Sequence, residues 1–454
     1  MLELNKQYNF KIKDVGMNFE GIAKSDDGLT VFVLGALKDE EVNAKIIKLN
    51  KNYALGDLKE IKEASKRRAK PICEYYSRCG GCEAMHTDYK NTLEIKKEKV
   101  INNIKKQGLD EKLVKDIYGM DKPYYYRNKV QYPMINRNGR NYVGMYEKGS
   151  HDLVNNTECY IQDEITHKVA RRLFELLDKE KFVGYNEKTL TGDIRNIMVR
   201  RGIHTNEVMC VLVVTDKCLA KDARMDKVVK EITKEYPNIK SFVLNINSKN
   251  TNVILSDENV CIYGDEYITD KIGNYTFKIT ADSFFQVNTL QAEVLYNLLK
   301  AEMELEKDKT VLELYSGVGS IGIYLSDAVK DIYAVEIVES AVEAAKENAR
   351  INNVTNVIHV LGDATKETLK LKDEGKFFDY IVVDPPRKGL DEQGVELILE
   401  LAPTKIGYVS CNSATLARDL KLLSQKYDIK EIKMVDMFPW TSHIECVCVL
   451  ELKK

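Results

Sequence analysis

Val311-Leu-Glu-Leu-Tyr-Ser-Gly-Val-Gly-Ser320 decides the fold: an apolar strand runs into a G-x-G turn, and a helical pattern begins at Ile321. Glycine at such a turn lets the backbone approach a ligand, and doubly wound α/β sheets bind nucleotides at this edge. A lone G-x-G is weak evidence. It strengthens because the next strand, 332–335, ends in Glu336, nineteen residues after Gly317, where a carboxylate can hydrogen-bond two ribose hydroxyls. A third strand, 357–361, is followed by Gly362-Asp363-Ala364 and brings another acid to the same edge. S-adenosylmethionine is expected at this turn rather than NAD.

The next two strands carry reactive groups. Tyr380-Ile-Val-Val-Asp-Pro-Pro-Arg387 ends in Asp384 and two prolines, which remove two backbone donors and stiffen the strand exit into a wall for a planar base. Ile406-Gly-Tyr-Val-Ser-Cys-Asn412 brings Cys411 to the same edge, flanked by Ser410 and Asn412. A cysteine at a strand end is inert packing by default, but polar neighbours on both sides argue against that here. Phe438-Pro-Trp-Thr-Ser-His-Ile-Glu445 then leads into a terminal strand. Strands alternating with helices from residue 281 to 454 predict a parallel α/β sheet.

Upstream the character changes. The chain has 454 residues, 44% apolar and 30% charged, which excludes a disordered protein and a small disulfide scaffold and leaves room for several domains. Its net charge of −2 averages +7 over residues 1–280 and −9 over 281–454. The basic groups of the first part form runs: Lys59, Lys62, Lys66, Arg67, Arg68 and Lys70; Lys96, Lys97, Lys99, Lys105 and Lys106; Arg127, Lys129, Arg137 and Arg140. Three such runs favour a phosphate backbone as partner, although any one of them alone is usually a solvated face.

Residues 1–62 contain short β-rich runs separated by glycines, the spacing of a five-stranded, OB-like barrel. Residues 63–70 look like a linker. A long helix is expected over about 84–117, within a central mixed α/β domain spanning 66–280 that has further helices at 163–178 and 220–235. No apolar stretch is long enough for a membrane span, so a cytoplasmic protein without a membrane partner is expected, and disulfides are not.

Ten cysteines then need another explanation. Cys73, Cys79 and Cys82 have the spacing C-x5-C-G-G-C, in which Gly80 and Gly81 let the chain fold tightly around one centre. Cys159, in a polar stretch, is the best fourth ligand, ahead of His86. Four thiolates suit an iron–sulfur cluster or a structural zinc; a single C-x2-C knuckle favours the cluster. Cys210, Cys218, Cys261, Cys446 and Cys448 are read as packing residues.

Cys411 and Glu445 together fit one reaction. Carbon 5 of uracil is a poor nucleophile until a thiolate adds at carbon 6, and the carbon 5 proton must afterwards be removed by a base. At these residues the sequence resembles the RNA uracil-C5 methyltransferase family over nearly its whole length. The resemblance rests on C-x5-C-G-G-C with Cys159, Phe284-Phe-Gln-Val-Asn288, the G-x-G turn, D-P-P-R, S-C-N and H-I-E in the family order.

The resemblance implies a class I, Rossmann-like methyltransferase domain at 281–454, an N-terminal TRAM domain and a central domain carrying a four-iron (4Fe-4S) cluster. It implies S-adenosylmethionine contacts from Gln286, Tyr315, Glu336 and Asp384, Cys411 as nucleophile and Glu445 as proton acceptor. Tyr124-Tyr-Tyr-Arg-Asn-Lys129 would stack bases and contact phosphate. Relatives acting on tRNA typically lack the TRAM domain and the cluster, so 23S rRNA is the expected substrate, with tRNA as the alternative. A monomer without an obligate protein partner is expected. An RNA cytosine-C5 methyltransferase would want a cysteine beside Pro385, and a radical S-adenosylmethionine enzyme would want C-x3-C-x2-C. A non-catalytic iron–sulfur RNA-binding protein fits poorly with the intact Cys411, Glu445 and D-P-P-R.

Overall fold

From Thr310 onward short apolar strands alternate with capped helices, and in the computed structural model, which describes residues 1–454, they build one eight-stranded sheet. Its order is Val357–Leu361, Asp331–Glu336, Thr310–Leu314, Tyr380–Val383, Lys405–Ser410, Glu445–Leu452, Tyr427–Val435 and Val114–Tyr118. The first five are parallel, and Glu445–Leu452 runs antiparallel to both neighbours. Asp363, Asp391 and Asn412 each start the helix that follows by accepting a first-turn N–H. Every residue of Tyr380–Val383 is buried, as expected for a strand covered on both faces.

The eighth strand comes from far upstream and corrects the expected long helix. That helix spans only Tyr89–Lys106; the chain leaves it through Gly108, at φ +70°, and Val114–Tyr118 then pairs in parallel with Tyr427–Val435. The helix also buries Lys96. Its ammonium lies 2.6 Å from Asp436 and 3.0 Å from the Phe438 carbonyl oxygen, and Tyr89 donates to the same carboxylate at 2.8 Å. Both partners of this pair are essentially inaccessible. Lys96→Met should therefore cost about 3–5 kcal/mol, because it strands the Asp436 charge in the interior. A urea-denaturation midpoint within error of the parent's would refute this.

The N-terminal residues form a six-stranded sheet, not five strands, in the order Gln7–Lys11, Glu41–Leu49, Tyr53–Glu63, Thr30–Leu34, Gly21–Lys24 and the two-residue Asp14–Val15. Alternate residues Val31 and Val33, and Val42, Ala44 and Ile46, fill its core. Residues 63–70 are more than a linker. Arg68 grips the fully buried Glu40 through Nε at 2.7 Å and Nη2 at 2.5 Å and donates to the Gly35 carbonyl at 2.8 Å. Two members of the basic runs, Arg68 and Lys96, thus serve the fold instead of facing solvent.

In the middle of the chain, Asn259–Gly264, Ile239–Ile246, Val208–Val214, Ile194–Arg201, Lys129–Arg137 and Arg140–Val143 form a mixed six-stranded sheet. The helices Glu164–Lys179 and Ala223–Glu235 cover one face, close to their expected places. Met209 and Val211 on the other face join a core shared with the Tyr267–Ile272 and Tyr275–Thr280 hairpin and the C-terminal sheet. Cys210, Cys446 and Cys448 are buried, as expected of packing residues, and Cys261 is half-buried. Cys218 is exposed, because it sits in the short turn Lys217–Lys221 and not in a strand. No helix is long and apolar enough to cross a membrane.

Candidate active site

Strand register brings Tyr315, Glu336, Asp384, Cys411 and Glu445 to one sheet edge. Leu314 pairs with Val383 and Val383 with Tyr408, so Tyr315 and Asp384 are the first residues beyond two adjacent strands. Ser410 pairs with Cys446 in the antiparallel ladder, so Cys411 and Glu445 are the next residues out on neighbouring strands. Asn412 fixes the turn: its Oδ1 accepts the Ala414 N–H at 3.1 Å and its Nδ2 donates to the Arg387 carbonyl at 2.8 Å. Cys411 therefore immediately precedes the N-terminus of the helix Ser413–Leu423.

The G-x-G turn has the backbone its glycines require, with Gly317 at φ +55° and Gly319 at φ +77°. Glu336 is bound into it, accepting the Gly317 N–H at 2.9 Å through one oxygen and the Ile337 and Val338 N–H groups, each at 2.9 Å, through the other. Gly317, Gly319 and Gly322 have the spacing G-x-G-x-x-G, so glycine spacing alone does not separate S-adenosylmethionine from NAD. Gly322 has a packing reason: a Cβ there would lie 2.3 Å from Glu313 Oε2. Ser320 bonds the buried Tyr296 hydroxyl at 2.8 Å. Gln286 is half-buried, and Asn128 holds its carbonyl oxygen at 2.9 Å.

Glu313 is the site residue that sequence reasoning missed. Its Oε2 is buried without a hydrogen-bond partner, and burial, reinforced by Asp384 and Glu336, pushes its carboxyl up to about 8. The available signal was a charged residue inside the otherwise apolar Val-Leu-Glu-Leu run. Burial likewise raises Asp384 to about 7, and burial with Asp384 raises Glu445 against the opposing pull of Arg387. Burial, then Glu445 and Asp384, push the Cys411 thiol up to about 11, again opposed by Arg387. His443 stays neutral, lowered to about 4 by burial and by Arg387.

This collection of acids fits a cationic ligand, and S-adenosylmethionine carries a sulfonium and an ammonium. In the free protein Asp384 and Glu313 hold protons until the pH passes about 7 and about 8. A bound cation favours their ionised forms, so binding should expel protons and tighten as the pH climbs through that window. Calorimetry in two buffers of different ionisation enthalpy checks this. Equal heats in both would refute it.

The three cysteines singled out by spacing and Cys159, expected as the fourth ligand, come together. Cys73, Cys79, Cys82 and Cys159 line one small, mostly apolar pocket with Met85 and Ile161. One backbone N–H points at a sulfur: Gly81 donates to Cys79 at 3.4 Å. Burial raises all four thiols. Nowhere in the chain do three or more His, Cys, Asp or Glu side chains come close enough to hold a single metal ion.

The 124–129 segment behaves differently from its expected RNA-facing role. Tyr124 stacks on Trp440 with ring centres 5.3 Å apart, and Tyr126 is buried with its hydroxyl on the Pro439 carbonyl at 2.9 Å. Tyr125 is the exposed member.

A family model described as tRNA (uracil-5-)-methyltransferase matches residues 88–453, and a TRAM domain model matches residues 3–59. The chain is 41% identical over 452 residues to a protein of Oceanobacillus iheyensis named as an RNA methyltransferase, covering 99% of this chain and 97% of that one. A similarly named protein of Clostridium tetani is 41% identical over 447 residues, covering 98% and 96%. Among solved structures, the Pyrococcus abyssi tRNA (uracil-54, C5)-methyltransferase in complex with S-adenosyl-L-homocysteine superposes with a TM-score of 0.80 at 27% identity, over 98% of this chain and 100% of that one. A tRNA-modifying protein thus shares the architecture almost end to end, so the N-terminal unit does not by itself point to rRNA. The chain belongs to the S-adenosylmethionine-dependent RNA uracil-5 methyltransferase family and carries a TRAM domain at its N-terminus.

Proposed function

We propose that this protein methylates carbon 5 of a uridine in RNA, with Cys411 as nucleophile and Glu445 as proton acceptor. The observation that carries the reading is the Ser410–Cys446 pairing, beyond which Cys411 and Glu445 emerge side by side at the edge that also presents Asp384. The target base must leave its stack to reach that edge. The Cys411 thiol loses its proton to solvent, the thiolate bonds to carbon 6, and the 5,6 π electrons shift through carbon 5 onto the carbonyl oxygen. When bound, S-adenosylmethionine would supply an electrophilic methyl group to carbon 5, the sulfonium sulfur keeping the electron pair of the broken sulfur–methyl bond to leave S-adenosylhomocysteine. Gln286, Tyr315, Glu336 and Asp384 would hold it, and the buried Glu313 carboxyl, once ionised, would favour its positive charge. Glu445, ionised, takes the carbon 5 proton; the freed electron pair restores the 5,6 double bond, and the carbon–sulfur bond breaks to release the Cys411 thiolate.

The cysteine pocket is proposed to hold a four-iron cluster with a structural role. Four partly buried thiols lining one pocket suit a cluster, in which each sulfur binds a different iron and the sulfurs need not converge on one ion. Iron and sulfide analysis of anaerobically purified protein checks this; stoichiometric zinc would overturn it.

A uridine of 23S rRNA is the first reading of the substrate, resting on the sequence resemblance. A tRNA uridine is the second, favoured by the full-length likeness to the Pyrococcus tRNA methyltransferase. Unmodified 23S rRNA and tRNA incubated with the protein and methyl-labelled S-adenosylmethionine separate them by nucleoside mass spectrometry. Labelled 5-methyluridine in 23S rRNA is expected. Label in tRNA alone selects the second reading, and no labelled 5-methyluridine in either RNA overturns the function.

A further inference from the structure

Residues 436–444 carry the chain from the strand Tyr427–Val435 to Glu445, and neighbouring segments grip their backbone. The Trp440 carbonyl oxygen accepts the N–H groups of Glu83 at 2.9 Å and Ala84 at 3.0 Å. In return the Ser442 N–H donates to Glu83 Oε2 at 3.0 Å. The Trp440 indole N–H donates to the Pro123 carbonyl at 2.7 Å, and the Tyr126 hydroxyl to that of Pro439 at 2.9 Å. Lys99 donates to the Ser442 carbonyl at 2.9 Å. Trp440 sits at φ +66°, a conformation a large side chain holds only when its surroundings impose it.

Resting on the functional reading above, we propose that Glu83 is a positioning residue for Glu445. It pins the 436–444 strap from both ends of one residue, its own N–H on Trp440 and its carboxylate on Ser442, three residues before the proton acceptor. Cys411 is held in addition by the Asn412 cap, whose bonds to Ala414 and Arg387 do not involve the strap. Loosening the strap therefore slows removal of the carbon 5 proton and release of the RNA, and spares addition of the thiolate. Because Glu83 directly follows Cys82, the turn that carries the cysteines and the step that ends the reaction share one anchor.

Rapid-quench kinetics on a uridine-containing substrate RNA tests this by following the denaturation-resistant protein–RNA adduct. In Glu83→Ala the adduct should form within about twofold of the parent rate and decay about tenfold more slowly, a change of about 1.4 kcal/mol in one barrier. Glu83→Gln keeps an oxygen acceptor for the Ser442 N–H and should restore decay to within about threefold of the parent, which a merely structural role for the carboxylate's charge would not produce. Tyr126→Phe removes only the bond to the Pro439 carbonyl and should show the same split in smaller measure; it carries the test alone if Glu83→Ala fails to fold. Equal slowing of formation and decay, or no change in either, overturns the proposal. No adduct with the parent protein overturns the functional reading and the inference with it.

Discussion

Cys411→Ala is expected to abolish methylation, a loss on the order of 10⁴-fold or more, because no other group at the sheet edge can add to carbon 6. With RNA carrying 5-fluorouridine, the parent protein should form an adduct that survives denaturation, since fluorine cannot leave as a proton, and Cys411→Ala should form none. The expectation has a charge component. The thiol is pushed up to about 11 by burial and then by Glu445 and Asp384, while Arg387 pulls the other way. Adduct formation in the parent should accordingly quicken as the pH rises, and Arg387→Ala should slow it. An adduct of undiminished yield in Cys411→Ala would sink the assignment of the nucleophile.

Glu445→Gln should behave oppositely, accumulating methylated RNA bound to the protein and failing to release it. A glutamine cannot accept the carbon 5 proton, and loss of a general base typically costs about 10²–10⁴-fold. Formation of the adduct should not suffer, because removing the Glu445 charge removes one of the groups that raise the Cys411 thiol. Gel-resolved adduct together with tritium release from 5-tritiated uridine separates the two steps. Normal tritium release with rapid turnover would refute the proton-acceptor role.

What the sequence displayed and what it hid divide along physical lines. The G-x-G turn, Glu336, Asp384 and Cys411 were legible because each follows directly on an apolar strand, and a strand end is a local property. The meeting of Cys73, Cys79 and Cys82 was legible from short spacing. Val114–Tyr118 was not, since its partner Tyr427–Val435 lies at the other end of the chain and nothing in Val-Lys-Asp-Ile-Tyr names it. Arg68 and Lys96 read as members of phosphate-contacting basic runs, because a buried ion pair leaves no trace in the sequence until both partners are located. Tyr124 and Tyr126 read as base-stacking groups for the same reason: Trp440, which Tyr124 stacks against and Tyr126 packs beside, lies some three hundred residues away. Glu313 could have been found as a charge within a buried strand.

The eighth strand also constrains how the protein is made. Val114–Tyr118 leaves the ribosome long before Tyr427–Val435 exists, so the nascent chain must hold an unpaired edge segment while the residues between the two strands are made. A fragment beginning at residue 281 would meet the converse difficulty, with Tyr427–Val435 left as a bare sheet edge open to pairing with another copy. The catalytic sheet is in this sense closed by the first third of the chain, and excising it as an independent unit would invite aggregation.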